Sequence, residues 1–224
     1  MKHETINSIV GVLGLVIASV TAVRQFWPEA ERLQVVVEGR AETGRPIDVS
    51  GFGMLRVSDE KPSPLFGPVS WKIRLFNNTD RNLSVVGYQI FQLTEDGAKV
   101  SSNALRDRLS QFDLSLAEQP FPFSIDGFDA TAVVISLMVP FEEESEGAEE
   151  CAEPQVSIQQ FERCFFKQGR DLFGNQVEKI HYDAAAAGMF SVKWNETTYS
   201  PKFLVEFETA SGAVFSAPIS YYPF

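Results

Sequence analysis

VSWKIRLFNNTDRNLSVVGYQIFQL (residues 69–93) carries the clearest structural signal in the chain. At its start apolar and polar side chains alternate, so Val69, Trp71 and Ile73 share one face of a β-strand. The Asn, Thr and Asp side chains of residues 77–82 are typical of a turn. An apolar segment at residues 83–93 follows as the returning strand. The pattern predicts a β-hairpin within a mainly β fold.

Further strands are predicted on both sides of this hairpin. LQVVVE (33–38) is rich in β-branched residues, which favour strands. FSVKWN (190–195) alternates in the same way as the hairpin. FLVEFET (203–209) and residues 213–219 predict a second hairpin with Gly212 near its tip. Together these segments predict one β-domain over residues 28–224.

The segment from residue 69 to residue 140 resembles the immunoglobulin-like β-sandwich modules of bacterial membrane and surface proteins. The resemblance lies in an apolar strand that ends in an Asn-rich turn, followed by the Pro-flanked sequence FSIDGFDATAVVISL (123–137). It implies a sandwich fold and, by analogy, a binding role. The sequence lacks the Cys–Trp–Cys spacing of antibody domains.

Two unlike segments follow this region. Residues 142–153 contain seven glutamates and predict a solvated acidic loop rather than a calcium site, because the ligand spacing of a calcium loop is absent. Residues 156–173 predict an inserted amphipathic helix, with Ser157 and Gln160 as a capping box and Phe161 and Phe165 on one face. Such a helix caps one end of the sandwich or docks on a membrane or partner, and the glutamates favour the cap.

The N-terminal segment is built differently, because residues 6–23 contain no ionisable side chain. A helix over residues 4–27 would be about 36 Å long, enough to cross a hydrocarbon core of about 30 Å. Phe26 and Trp27 end it as membrane-interface anchors. The predicted fold class is therefore mainly β: an N-terminal transmembrane helix (1–27), then an immunoglobulin-like β-sandwich with one inserted amphipathic helix.

This apolar segment allows two other interpretations. A cleaved signal peptide fits a cut after Ala22, but Lys2 is opposed by Glu4 and the apolar run is longer than usual. A buried core helix is disfavoured because the segment is apolar on every face.

The predicted transmembrane helix carries a stripe of small or polar side chains. Close backbone approach at small residues drives helix association in lipid, so the stripe predicts a homo-oligomer. The opposing interpretation is that small residues are common in membrane spans. The stripe consists of Asn7, Gly11, Gly14, Ala18 and Thr21.

The sequence predicts a single-pass protein of the inner (plasma) membrane. Lys2 precedes the span and Arg24, Arg32 and Arg40 follow it, which favours a cytoplasmic domain. The only two cysteines, Cys151 and Cys164, allow two interpretations: a disulfide in an oxidising compartment or two buried thiols in the cytoplasm.

Composition and motifs argue against several functions. The formal charge of −11 repels phosphate backbones, so nucleic acid is not expected as a partner. His3 and His181 are the only histidines, and nucleophile, phosphate-binding and Cys-x-x-Cys motifs are absent from the sequence. We therefore predict no enzymatic activity, no catalytic or metal site and no cofactor.

The sequence as a whole predicts a membrane-anchored β-sandwich module that binds another protein and self-associates through its transmembrane helix. One alternative is a membrane effector, gated by a ligand or partner, that perturbs the bilayer. Another is a periplasmic or secreted disulfide-bonded binding domain.

Overall fold

The structure is a computed structural model, and it describes residues 30–41, 46–55, 63–101, 103–112, 116–141, 151, 156–182, 190–194 and 200–222. Antiparallel strands dominate these ranges. They are β1 (Leu33–Arg40), β2 (Asp48–Leu55), β3 (Ser63–Asn77), β4 (Leu83–Leu93), β5 (Lys99–Val100), β6 (Arg108–Gln111), β7 (Phe123–Ile125), β8 (Ala130–Pro140), β9 (Val177–Tyr182), β10 (Phe190–Trp194), β11 (Lys202–Thr209) and β12 (Val214–Ser220). Helix α1 spans Ile158–Lys167, and a 3-10 helix spans Asn103–Leu105.

Sheet A is built around the long strand β3. Its order is β1–β3–β8–β6. Strand β2 pairs with the first part of β3, and β1 pairs with the last part of β3 along the same edge. All of these pairs are antiparallel. Both edges of β3 are therefore occupied within sheet A.

Sheet B is built around β4 and β11. Its order is β12–β11–β4–β5, with β7 pairing with β4 on the same edge as β5. Strands β9 and β10 form a separate two-stranded hairpin. The hairpin predicted at residues 203–219 is confirmed as β11 and β12.

The apolar faces of the two sheets form the core. Alternation along the strands buries Trp71 and Ile73 from sheet A and Phe203 and Phe207 from sheet B. The rings of Trp71 and Phe203 lie 6.2 Å apart. Burying a side chain of this size contributes about 1.5–3 kcal/mol. The mainly β, antiparallel arrangement is compatible with a β-sandwich, and every strand belongs to the compact unit Leu33–Phe224.

The hairpin predicted at residues 69–93 is wrong. Both segments are strands, but β3 belongs to sheet A and β4 to sheet B, so the chain crosses from one sheet to the other at residues 78–82. The alternation of apolar residues defines which face of a strand is buried, and it carries no information about which strand lies alongside.

The prediction of a membrane-spanning helix is also wrong for the part of the chain that the structure describes. No helix in those ranges is long and apolar enough to cross a membrane. Helix α1 has 10 residues, about half of what a span requires. The predicted span at residues 6–23 lies outside the described residues. The observed fold class is mainly β with one α-helix in the described ranges, and the single-pass localisation is withdrawn.

Helix α1 confirms the predicted insertion with shorter bounds. Ser157 is its N-cap, and the capping box with Gln160 is present. The helix packs Phe161 against Phe66 of β3, with ring centroids 5.6 Å apart. Of the predicted acidic loop, only Cys151 is among the described residues.

Candidate functional site

Two turns meet at one end of the two sheets. The β3–β4 turn follows Asn77, and the β7–β8 turn precedes Ala130. Phe76 of β3 lies opposite Ala130 of β8, and Leu83 of β4 lies opposite Ile125 of β7, so both turns share this end. We call residues 78–82 and 126–129 together the turn surface.

Asn77 fixes the two turns to each other from inside the fold. Its side-chain amide points at the carbonyl oxygens of Arg81, Ile125 and Asp126 at 2.7–3.1 Å. Its side-chain oxygen accepts hydrogen bonds from the backbone N–H and the hydroxyl of Thr79. Because Asn77 is buried, these bonds supply hydrogen-bond partners to a side chain that lies away from water. Asn77 therefore links the β3–β4 turn to the β7–β8 turn.

The backbones of the two turns also touch directly. A Cβ atom placed on Gly127 would lie 2.5 Å from the carbonyl oxygen of Asp80, which is closer than a carbon and an oxygen can approach. The N–H of Phe128 donates to the carbonyl oxygen of Thr79 at 2.8 Å. Glycine at position 127 thus permits the contact that positions its neighbour Phe128.

Phe128 is the most exposed large apolar side chain among the described residues, at 76%. The others of this kind, Val86, Phe112 and Val214, are 39–55% exposed. Phe128 also has a φ of +56°, a left-handed conformation that is unfavourable for a bulky side chain. An aromatic ring held rigidly in water at a turn tip has the properties of a binding anchor.

Three acidic residues belong to the turn surface together with Phe128. Asp80, Asp126 and Asp129 are exposed on the turn surface, together with the single cation Arg81. Asp129 accepts a hydrogen bond from the N–H of Ala130 at 2.7 Å, which orients its carboxylate. An exposed aromatic residue with acidic neighbours suits recognition of an apolar pocket with a basic rim.

A second polar cluster lies under helix α1. Glu162 is almost completely buried, and it accepts hydrogen bonds from Arg40 of β1 and from the Tyr221 hydroxyl, the latter at 2.7 Å. The guanidinium of Arg40 lies 4.9 Å from the centre of the Tyr221 ring. Burial, and then the charge of Glu162, raise the pKa of Tyr221 well above its ordinary value. This cluster attaches the helix to β1 and to the chain after β12.

Arg40 keeps its charge in this cluster. Burial by itself lowers the pKa of its guanidinium, but Tyr221 and Glu162 outweigh burial and raise that pKa above the ordinary value. The cluster therefore contains an ion pair between Arg40 and Glu162, and we assign it a structural role.

Asp171 organises the loop after the helix. Its carboxylate accepts hydrogen bonds from the backbone N–H groups of Phe173 and Asn175 and from the Asn175 side chain, at 2.8–2.9 Å. Burial, and then the charge of Asp171, raise the pKa of Tyr222. These bonds support the neighbouring cluster under the helix.

The predicted site residues divide into two groups. Cys151 and Cys164 are joined by a disulfide, with their Cα atoms 5.6 Å apart. A disulfide indicates an oxidising compartment, so the predicted preference for a cytoplasmic domain is corrected. The predicted membrane residues Asn7, Gly11, Gly14, Ala18, Thr21, Phe26 and Trp27 lie outside the described residues.

No metal or catalytic centre was predicted. Within the described ranges, no group of three or more His, Cys, Asp and Glu side chains is placed to hold a metal. His181 lies in β9, and its side chain is not described. The absence of enzymatic activity stays a prediction.

Phe128 is not among the residues that the sequence predicted to be functional. The Asp126–Gly127 pair marks a turn. An aromatic residue directly after such a pair belongs to the turn and not to the alternating buried positions of the next strand. This position in the sequence is the signal that could have identified Phe128 as exposed.

The chain matches no protein-family model and no curated protein.

Proposed function

We propose that this chain is an immunoglobulin-like binding module of an oxidising compartment, and that it binds another protein through the turn surface. The observation that carries the proposal is the 76% exposure of Phe128 on a turn fixed by buried Asn77. Nucleic acid is not an expected partner, because the formal charge is −11.

The strand order supports the immunoglobulin-like assignment. An immunoglobulin sandwich has one sheet with strands A, B, E and D and another with G, F and C, extended by C′ in variable-type domains. Sheet A runs β1–β3–β8–β6, and sheet B runs β12–β11–β4–β5. Taking β1 as A, β3 as B and β4 as C reproduces both orders. Helix α1 and the β9–β10 hairpin are then an insertion between strands E and F.

The disulfide supports the choice of compartment. Cys151 and Cys164 are the only cysteines in the chain and they are bonded to each other. Disulfides persist outside the reducing cytosol. Of the functions considered from the sequence, a periplasmic or secreted disulfide-bonded binding domain agrees best with this bond.

The energetics of the turn surface favour binding. Burying an exposed Phe ring in a partner's pocket contributes about 1.5–3 kcal/mol, which is enough for a dominant contact. Because the turns are already fixed by Asn77, little conformational entropy is lost on association. The exposed aspartates add long-range attraction to a basic partner and accelerate association.

Photo-cross-linking tests the proposal directly. We expect p-benzoylphenylalanine at position 128 of the full chain, irradiated in the cells that produce it, to give one discrete protein adduct. The same residue at exposed Lys167 of α1 is the matched control and should not give that adduct. Excess wild-type chain should compete for the adduct, and excess Phe128→Ser chain should not. Equal adducts from both positions, or none from position 128, would refute the proposal.

A further inference from the structure

The outer face of sheet B has a patterned surface. Along β11 the side chains of residues 202, 204, 206 and 208 point away from the core, since those between them are buried. The residues of β12 and β4 that pair with these four positions lie on the same face of the sheet. We call this surface, formed by alternate residues of β12, β11, β4 and β5, the sheet B face.

The middle of the sheet B face is apolar. Leu204 lies between Pro218 of β12 and Phe91 of β4 in the paired registers. None of the three is buried in the core, and Pro218 is exposed. An apolar row thus crosses three neighbouring strands in contact with water.

Opposite charges lie on the two sides of this row. On one side Lys202 pairs with Leu93, which in turn pairs with Lys99 of β5. On the other side are Glu206 and Glu208. The face therefore runs from basic through apolar to acidic along the direction of β11.

One charge of each sign has no partner within the described part of the chain. Lys99 forms an ion pair with Glu206, and its ammonium lies 5.4 Å from the centre of the Phe91 ring between them. Lys202 and Glu208 are exposed, and neither forms an ion pair with another described residue. These two charges are available to a molecule that docks on the face.

We propose that the sheet B face binds the same face of a second copy of this chain, forming a two-fold symmetric dimer. A rotation of 180° about an axis that lies in the face and crosses β11 at residue 205, beside the apolar row, exchanges the basic and acidic sides. It places Leu204 near its symmetry mate and brings Lys202 of one copy opposite Glu208 of the other. A second copy offers this reversed pattern of charges by symmetry, whereas a partner of uniform charge matches only half of the face.

The size of the face sets the strength of the dimer. Four strands about 4.8 Å apart, with four outward positions on β11, cover roughly 15 Å by 25 Å. This is small beside the roughly 800 Å² per partner of a stable complex, so a weak dimer is expected. The Phe128 ring lies on the turn surface and takes no part in it.

Sedimentation equilibrium of the full chain with charge-reversed variants tests the dimer. Lys202→Glu or Glu208→Lys alone places like charges together at two symmetry-related positions. We expect each to raise the dimer dissociation constant about a hundredfold, roughly tenfold per position. The double variant Lys202→Glu/Glu208→Lys restores opposite charges and should return the constant to within about threefold of wild type.

Two controls separate this dimer from other effects. Arg108→Glu reverses an exposed charge on β6 of sheet A and should leave the dissociation constant unchanged. Phe128→Ser should also leave it unchanged, so that the dimer and the proposed protein partner are tested separately. A wild-type chain that is monomeric at about 100 µM would overturn the proposal. It would also be overturned if both single variants dimerise like wild type, or if the double variant stays dissociated.

Discussion

At the scale of single residues, Asn77 and Gly127 determine how Phe128 is presented. A left-handed backbone at a non-glycine residue costs about 1–2 kcal/mol. The hydrogen bond from Phe128 to Thr79 and the network around Asn77 offset this cost. The unfavourable conformation is therefore retained by its surroundings, as is common at binding sites.

Gly127→Ala tests this account of the turn contact. The new Cβ atom would lie 2.5 Å from the Asp80 carbonyl oxygen, so the two turns must separate. We expect the free energy of unfolding, measured by urea denaturation, to fall by about 2–3 kcal/mol. Gly87→Ala in β4 is the matched control, because its Cβ meets no atom within 4 Å. Equal stability of the two variants would contradict the close contact.

Residue-level patterns in the sequence predicted the turns but not their contact. The Asn-rich segment after β3 predicts a turn, and the Asp126–Gly127 pair is a turn signal of the same kind. The two turns lie close together because β3 pairs with β8 in sheet A and β4 pairs with β7 in sheet B. Local composition does not encode such long-range pairing.

At the scale of secondary-structure elements, helix α1 is held by covalent, ionic and aromatic contacts. The disulfide joins Cys164 of the helix to Cys151. Glu162 of the helix accepts hydrogen bonds from Arg40, which precedes the helix in the chain, and from Tyr221, which follows it. Phe161 of the helix packs on Phe66 of β3. The sequence predicted the helix from its capping box and period, because both are local signals.

Removal of the disulfide should destabilise the domain. The bond closes a loop with a sequence separation of 13 residues, which restricts the unfolded chain by about 3 kcal/mol in the chain-entropy model. We expect Cys151→Ser/Cys164→Ser to unfold at a correspondingly lower urea concentration than the oxidised wild type. Reduced wild type should behave like the double variant. If a reductant leaves the wild-type urea midpoint unchanged, the disulfide does not stabilise this domain.

Strand pairing was the element-level feature that sequence could not supply. Alternation identified β3, β4 and β11 as strands with one buried face. The β11–β12 hairpin was predicted correctly because its turn is short and contains Gly212. The β3–β4 connection at residues 78–82 is only one residue longer and lacks a glycine. Such a connection suits either a return beside β3 or a crossing to the other sheet, and packing of the whole core selects between them.

At the scale of the whole molecule, buried tyrosines link stability to pH. Burial, followed by nearby carboxylates, raises the pKa values of Tyr221 and Tyr222. In the unfolded chain these hydroxyls ionise near pH 10. Above that pH the unfolded state has released protons that the folded state still holds, so stability is full below pH 10 and falls as pH rises further.

The free energy of unfolding should therefore decrease above pH 10, by up to about 1.4 kcal/mol per pH unit for each buried tyrosine. Tyr222→Phe removes one of these ionisations and should reduce the slope between pH 10 and pH 11 by about that amount. Urea denaturation at a series of pH values measures both slopes. A wild-type stability that is constant up to pH 11 would contradict the raised pKa values.

Whole-molecule properties followed only partly from the sequence. The 44% hydrophobic content and the alternating segments predicted a mainly β domain with a large core. The compartment did not follow, because arginine positions near residue 24 favoured the cytoplasm while two cysteines allowed either side. The bond between Cys151 and Cys164 depends on the folded distance between them, which spacing along the chain does not define.

The proposed binding of a protein partner through Phe128 can be measured on the turn surface itself. The most direct measurement is the affinity of the cross-linked partner, once isolated, for wild-type chain, Phe128→Ser and the control Phe112→Ser by isothermal titration calorimetry. We predict that Phe128→Ser weakens binding at least tenfold, since it removes about 1.5–3 kcal/mol of buried apolar contact. Phe112→Ser, which removes an exposed ring on another surface, should bind like wild type. Equal affinities for all three chains would contradict the account.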